Sequence, residues 1–316
     1  MTDLRERIGG AMLGAVVGDA LGFPVDQQDR RLLRDDPVTD MREGGAPRQP
    51  AGTWSDNMSL AFCLAESLVS GFNLQDQASR FCQWYLEGKW TPYGETLEVR
   101  EALSSVIEKI AAGVPLSRAA SDDAGQHDNG SLIRTLPVAL WGHNLPLADL
   151  VEKVHASSAI THSHPRAMVA CGLYAVYAVL LTRGQTPAEA LASLRGNLPG
   201  IYTEKSRPFP RQMHHFERLL APDFDKLPEP QIQSDDAAHS LEAGIWCLLQ
   251  GQGFEEIVLR AANLGGDAAT TAAIAGGLAG ACLGEPAVPK RWIRRLARAD
   301  KIAALVRTFT AACAPA

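Results

Sequence analysis

Gly10-Ala11-Met12-Leu13-Gly14-Ala15-Val16-Val17-Gly18-Asp19-Ala20-Leu21-Gly22 is the stretch whose reading decides the fold. Its glycines recur every fourth residue in an apolar run, and Gly276 and Gly280 repeat the spacing. Positions four apart share one helix face, so these glycines form a smooth strip that lets another backbone approach closely. Glycine weakens a helix on its own account, so the strip reads as a device for tight core packing. It has neither GxGxxG order nor the lysine of a phosphate-binding loop. Asp19 lies within the apolar run. A carboxylate there must be hydrogen-bonded, paired or shifted in pKa. It reads either as a structural group bonding backbone or as one that orients metal ligands.

Helical periodicity continues outward. It predicts helices near Leu4–Leu21, Met58–Ser70, Leu74–Leu86, Thr96–Ala112, Pro146–Ile160, Pro165–Thr182 and Pro187–Leu194. Others follow near Ala237–Gln250, Phe254–Ala262, Ala268–Leu283 and, in a broken form, Pro289–Thr310. Asn73 before Leu74, and Thr186-Pro187-Ala188-Glu189, are helix start signals. No run of alternating β-branched residues suggests a strand. The expectation is an all-α fold, one compact multi-helix domain over residues 1–316. Gln27–Gly52, Gly113–Ser131 and Gly196–Gln233 are not periodic, and loops that long suggest binding roles.

Of the 316 residues, 46% are hydrophobic and 21% charged, an ordinary globular balance. A net charge of −6 gives the whole chain no nucleic-acid footprint. The six cysteines form no CxxC pair and read as free thiols in a reducing compartment. Ile8 to Val25 is mostly apolar, but Asp19 interrupts it, and Asp3 and Glu6 offset Arg5 and Arg7. A secretory leader would be flanked by net positive charge, and a membrane span would lack an internal charge. The expected setting is cytoplasmic, without a membrane partner.

Two distant segments carry oxygen ligands at the start of apolar helical patterns: Thr53-Trp54-Ser55-Asp56-Asn57-Met58 and Gly265-Gly266-Asp267-Ala268-Ala269-Thr270. Hard cations such as magnesium prefer such ligands. Taken singly, each aspartate also reads as a helix N-cap. Asp26 lies in a loop from which it could reach the same place. Asn129-Gly130-Ser131 marks a turn entering a helix, or a pair of N–H groups facing a phosphate. In Thr161-His162-Ser163-His164-Pro165 the two histidines share no helical face, which argues against zinc. One histidine in such a turn usually caps a helix.

Six blocks in order resemble the ADP-ribosylglycohydrolase family. They are Gly14-x-x-x-Gly18-Asp19-Ala20-Leu21-Gly22, Gly52-x-Trp54-Ser55-Asp56, Asn129-Gly130-Ser131-Leu132-x-Arg134, Thr161-His162-x-His164-Pro165, Leu241-Glu242-Ala243 and Asn263-Leu264-Gly265-Gly266-Asp267-x-x-Thr270. The resemblance runs from Arg7 to Trp292. It implies an all-α domain with a magnesium cleft that hydrolyses the bond between ADP-ribose and a protein side chain or small acceptor. It also implies metal ligation by Ser55, Asp56, Asn57, Asp267 and Thr270, and catalysis by Asp26, Asp56 and Asp267. Asn129, Gly130, Ser131 and His162 would bind ADP-ribose.

The chain departs from the family pattern. Asn57 stands where a second aspartate is usual, and Ala269 removes a ligand, because a methyl group has no lone pair. Ser234-Asp235-Asp236 brings acid into a binding loop. One or two magnesium ions are therefore expected, with the second position weakened. Two alternatives follow: an ADP-ribose-binding protein that no longer turns over, and a glycosidase drifted to a nucleoside-like substrate.

Overall fold

The computed structural model describes residues 2–97, 99–120, 129–203 and 208–315. The chain begins with α1 (Leu4–Gly22), α2 (Arg30–Asp35), α3 (Asp56–Leu68), α4 (Leu74–Glu87), α5 (Glu101–Ala111) and α6 (Leu116–Ala119). It continues through α7 (Leu136–Trp141), α8 (Leu147–Ser158), α9 (Pro165–Thr182), α10 (Pro187–Ile201) and α11 (Glu217–Leu220). It ends with α12 (Ala237–Gln250), α13 (Phe254–Ala262), α14 (Ala268–Leu283), α15 (Lys290–Arg295) and α16 (Ala299–Cys313). No β-strand occurs among the described residues, where one isolated bridge joins Gly44 and Gln49. The all-α expectation holds.

α1 and α14 form the centre. Every residue of α1 from Ile8 to Gly22 is buried, as is every residue of α14 from Ala268 to Ala281. A helix apolar on all sides belongs inside a core. The glycines set how these two meet. A Cβ on Gly18 would stand 2.0 Å from the Ala272 carbonyl oxygen, and one on Gly14 2.2 Å from that of Gly276. A Cβ on Gly280 would stand 1.9 Å from the Gly10 oxygen. As one helix rises the other descends, so they run antiparallel with backbones in contact. The end of α1 therefore lies beside the start of α14.

α1 and α9 are long and apolar enough to cross a membrane. Yet 94% of the window at Leu4–Val25 and 83% of that at Pro165–Thr182 is buried inside the protein. Arg7 binds the ends of two helices together. It donates to the carbonyls of Leu181, Ala281 and Cys282 at 3.2, 3.0 and 2.6 Å. These are last-turn carbonyls of α9 and α14, which have no partner within their own helices. The six cysteines are free thiols, four of them buried.

Start signals act as expected. Asn73 accepts from Gln75 and Asp76 N–H, and Thr186 forms a capping box with Glu189. The last expected helix is indeed broken, at Arg298, which sits at φ +52. Two boundaries differ from the periodicity. α5 begins at Glu101, not near Thr96: Leu97 lies outside any helix, and its N–H bonds Asp56. α10 runs past Leu194 to Ile201 despite Pro199, which falls in its last turn, where little helix remains to be broken. α7 was too short to show a period.

The seam gives a test with an internal control. Gly18→Ala should cost about 3 kcal/mol or more, since backbone atoms cannot move aside as a side chain can. Gly196→Ala should instead stabilise by roughly 0.5–1 kcal/mol. It lies within α10, where an added Cβ meets nothing within 4 Å. Urea unfolding of both variants checks the contrast.

Candidate active site

The junction of α1 and α14 opens onto a cleft of about 680 Å³. Asp26, Asp56 and Asp267 line it, with Ser55, Asn57 and Thr270 beside them. Gly130, Thr161 and His162 form another side, and Leu97, Val99 and Arg100 a third. Segments more than 200 residues apart in sequence thus meet at one place.

Neither Asp56 nor Asp267 spends its carboxylate on capping its helix. Ser55 is the N-cap of α3 and Asp267 that of α14, and neither makes a side-chain capping bond. Capping of α14 comes from elsewhere: Ala269 N–H donates to Asp26 Oδ1 at 3.0 Å. The two carboxylates are therefore turned to the cleft, and the simple capping explanation fails.

Asp19 is fully buried and accepts twice from Ser55, from its N–H at 2.6 Å and its hydroxyl at 2.7 Å. Because the hydroxyl proton points at Asp19, the lone pairs of Ser55 Oγ remain available toward the cleft. Asp19 is thus both things the sequence allowed: it binds backbone and it orients a candidate ligand. Burial pushes its pKa up to about 7, against the lowering hydrogen bonds of Ser55, and the charges of Asp26 and Asp56 add to the rise. Burial likewise pushes Asp26 and Asp56 up to about 6. For Asp26 the Ala269 N–H and the Arg100 charge oppose this, while Asp267 adds to it.

Asp267 is held on both sides. Its Oδ1 accepts from the Gln27 amide and its Oδ2 from the Asn129 amide. Asn129 and Ser131 lie behind the cleft surface, each 1% exposed. Asn129 also donates to Ser240 Oγ at 2.9 Å, and Ser131 Oγ accepts from Ser158 at 2.9 Å. Of that turn, Gly130 is what lines the cleft. His162 Nδ1 lies 2.8 Å from Thr161 Oγ1, while His164 is the capping histidine, accepting from Arg166 N–H. Gln27 and Arg100 carried no motif signal. Their place depends on long-range register.

The donor set suits a hard cation. Asp56 Oδ2 is buried and makes no hydrogen bond of normal geometry, although the Trp84 side chain beside it lowers its pKa, and Oδ1 has a 3.4 Å contact from Leu97 N–H. A buried carboxylate oxygen left without a normal hydrogen bond calls for a proton or a cation. Every other candidate ligand here is also oxygen, which favours magnesium over zinc. Ala269 presents only its methyl group. At the rim, ligand atoms of Asp235, Asp236 and His239 lie within 4.8 Å of one another. Asp236 caps α12 through His239 N–H, and His239 Nδ1 engages Asp235, so these groups already serve one another.

Comparison with known proteins agrees with this geometry. The ADP-ribosylglycohydrolase family model matches residues 1–315. The ADP-ribosylarginine hydrolase Tri1 of Pseudomonas putida (strain GB-1) is 31% identical, over 96% of this chain and 77% of that protein. The ADP-ribosyl-[dinitrogen reductase] glycohydrolase of Rhodospirillum rubrum is 29% identical, over 93% of this chain and 91% of that one. A solved structure, an ADP-ribosylglycohydrolase-related protein complex, superimposes with a TM-score of 0.78 at 31% identity, over 99% of each chain.

The raised carboxylates make stability depend on pH. Between the unfolded value near 4 and the folded values of about 6 to 7, only the folded chain keeps these protons. Stability is therefore lost as pH rises through that window. Without divalent ions, the melting temperature should fall by several degrees from pH 5 to pH 8. Asp19→Asn should flatten that fall.

Proposed function

The chain belongs to the ADP-ribosylglycohydrolase family, and from that premise we propose that it is a magnesium-assisted hydrolase of ADP-ribosylated arginine. Hydrolysis of ADP-ribosyl bonds is the activity of its named relatives. The magnesium requirement and the arginine acceptor are our reading. One observation carries it: a buried Asp56 whose Oδ2 makes no hydrogen bond of normal geometry, in a cleft lined by oxygen ligands. The acceptor is suggested by the Tri1 relative and by an acidic cleft that suits a cationic guanidinium group. Six free thiols suit a cytoplasmic setting.

Ser55, Asp56 and Asn57 on one wall, and Asp267 and Thr270 on the other, carry the oxygens offered to magnesium, with Asp26 at hand. When bound, magnesium supplies Lewis acidity and lowers the pKa of water. The chain's own groups do the rest. Gly130 and His162 line the wall against which ADP-ribose would lie. Asp267, fixed by two amides, places negative charge beside the ribose as positive charge develops on it. Asp26, beside the ligands, would receive the proton of the attacking water. Burial raises its pKa to about 6 in the metal-free cleft, and a cation there would lower it.

A second reading has a specific motive. Ala269 offers no ligand and both oxygens of Asp267 are occupied, as in a protein that binds ADP-ribose without cleaving it. In that case calorimetry should show ADP-ribose binding unaffected by EDTA.

The hydrolase reading expects ADP-ribose release from ADP-ribosylarginine with magnesium, and its loss with EDTA. Asp56→Ala should lower kcat by about 100- to 1000-fold. Since Asp26 and Asp56 must be ionised, kcat/KM should rise with pH, with its midpoint below the metal-free values of about 6 because magnesium favours both carboxylates. No release from arginine-linked, serine-linked or nucleotide substrates would sink it, and cleavage of plain nucleosides alone would redirect it.

A further inference from the structure

Gln27 sits in the left-handed region at φ +65, where L side chains are uncommon. Two backbone bonds pin it there. Its N–H donates to Gly266 O at 2.8 Å, and Gly266 N–H donates to Gln28 O at 3.0 Å. This clip directs its side-chain amide between two carboxylates. The amide donates to Asp267 Oδ1, and it lies close enough to Asp26 to lower the pKa of that carboxyl. One glutamine amide has two N–H donors and can serve both. Asn129 occupies the other oxygen of Asp267.

The two walls of the cleft therefore differ. On the α3 side, Asp56 Oδ2 makes no hydrogen bond of normal geometry, although the Trp84 side chain lies near, and Ser55 Oγ turns its proton away to Asp19. On the α14 side, Asp26 Oδ1 takes Ala269 N–H, both oxygens of Asp267 take amides, and Ala269 gives no ligand. An N–H donor and a cation compete for the same lone pairs, and the partly positive amide hydrogens repel an ion placed beside them.

We propose that Gln27 stands in for a second cation, its amide bridging Asp26 and Asp267, so that the cleft takes one divalent ion, on the Ser55–Asp56 wall. Gln27 is then a positioning residue that sets metal stoichiometry. The inference rests on the magnesium reading above.

The test uses Mn²⁺ as the probe, with bound and free ion counted by electron paramagnetic resonance on the full chain. Gln27→Gly removes the amide while accommodating the positive φ, so it should fold. The unaltered chain should bind one ion. Ala269→Asp alone should also bind one, because the amide still bridges. Gln27→Gly with Ala269→Asp should bind two. Two ions in the unaltered chain or in Ala269→Asp alone would overturn the inference, as would a double variant that stays at one. These results would leave the magnesium reading standing, whereas no ion in the unaltered chain would overturn both.

Discussion

Contact between two backbones is the constraint on which the rest depends. Gly10, Gly14 and Gly18 of α1 lie against Gly280, Gly276 and Ala272 of α14, with no room for a β-carbon between them. That contact leaves the antiparallel pair one close register. Gly22 then lies against Ala268 and Ala269, so Asp26, just beyond α1, meets the first turn of α14. The glycines lower the intrinsic stability of both helices. In return the seam brings the end of α1 and the start of α14 to one side of one cleft.

The same burial that makes the core makes the site reactive. Asp19, Asp26 and Asp56 are withdrawn from water and raised well above ordinary carboxylates, and their mutual repulsion adds to the rise for Asp19. A cation in the cleft would reverse that cost. Asp19 shows how far the arrangement reaches into the core. It sits on the central helix, yet it aligns Ser55 on α3 by two hydrogen bonds.

Much was legible in the sequence because its signals were local or came in ordered blocks. Period, caps and glycine spacing identified the long helices. Asp56 and Asp267 stood out as carboxylates beside helical starts and Asp26 as a loop carboxylate within reach of them, and the cleft gathers all three. Other features had no local signature. Leu97 and Val99 imitate a helical pattern but lie outside any helix, and Leu97 N–H bonds Asp56. Asn129 and Ser131 read as turn residues or as contacts for ADP-ribose and are buried behind the cleft. Gln27 looked like any polar loop residue. Its bond to Asp267 spans 240 positions.

The sequence by itself determined that this chain is helical, which helices are central, and which family's oxygen ligands it keeps or lacks, Ala269 included. Those properties reside in residue type and short-range period. Only the tertiary structure decided which oxygens face the cleft and which are already occupied. Asp56 keeps an oxygen with no hydrogen bond of normal geometry, whereas both oxygens of Asp267 are held by amides. A carboxylate is the same letter in either case. What distinguishes the two is the set of donors that close packing brings within hydrogen-bonding distance.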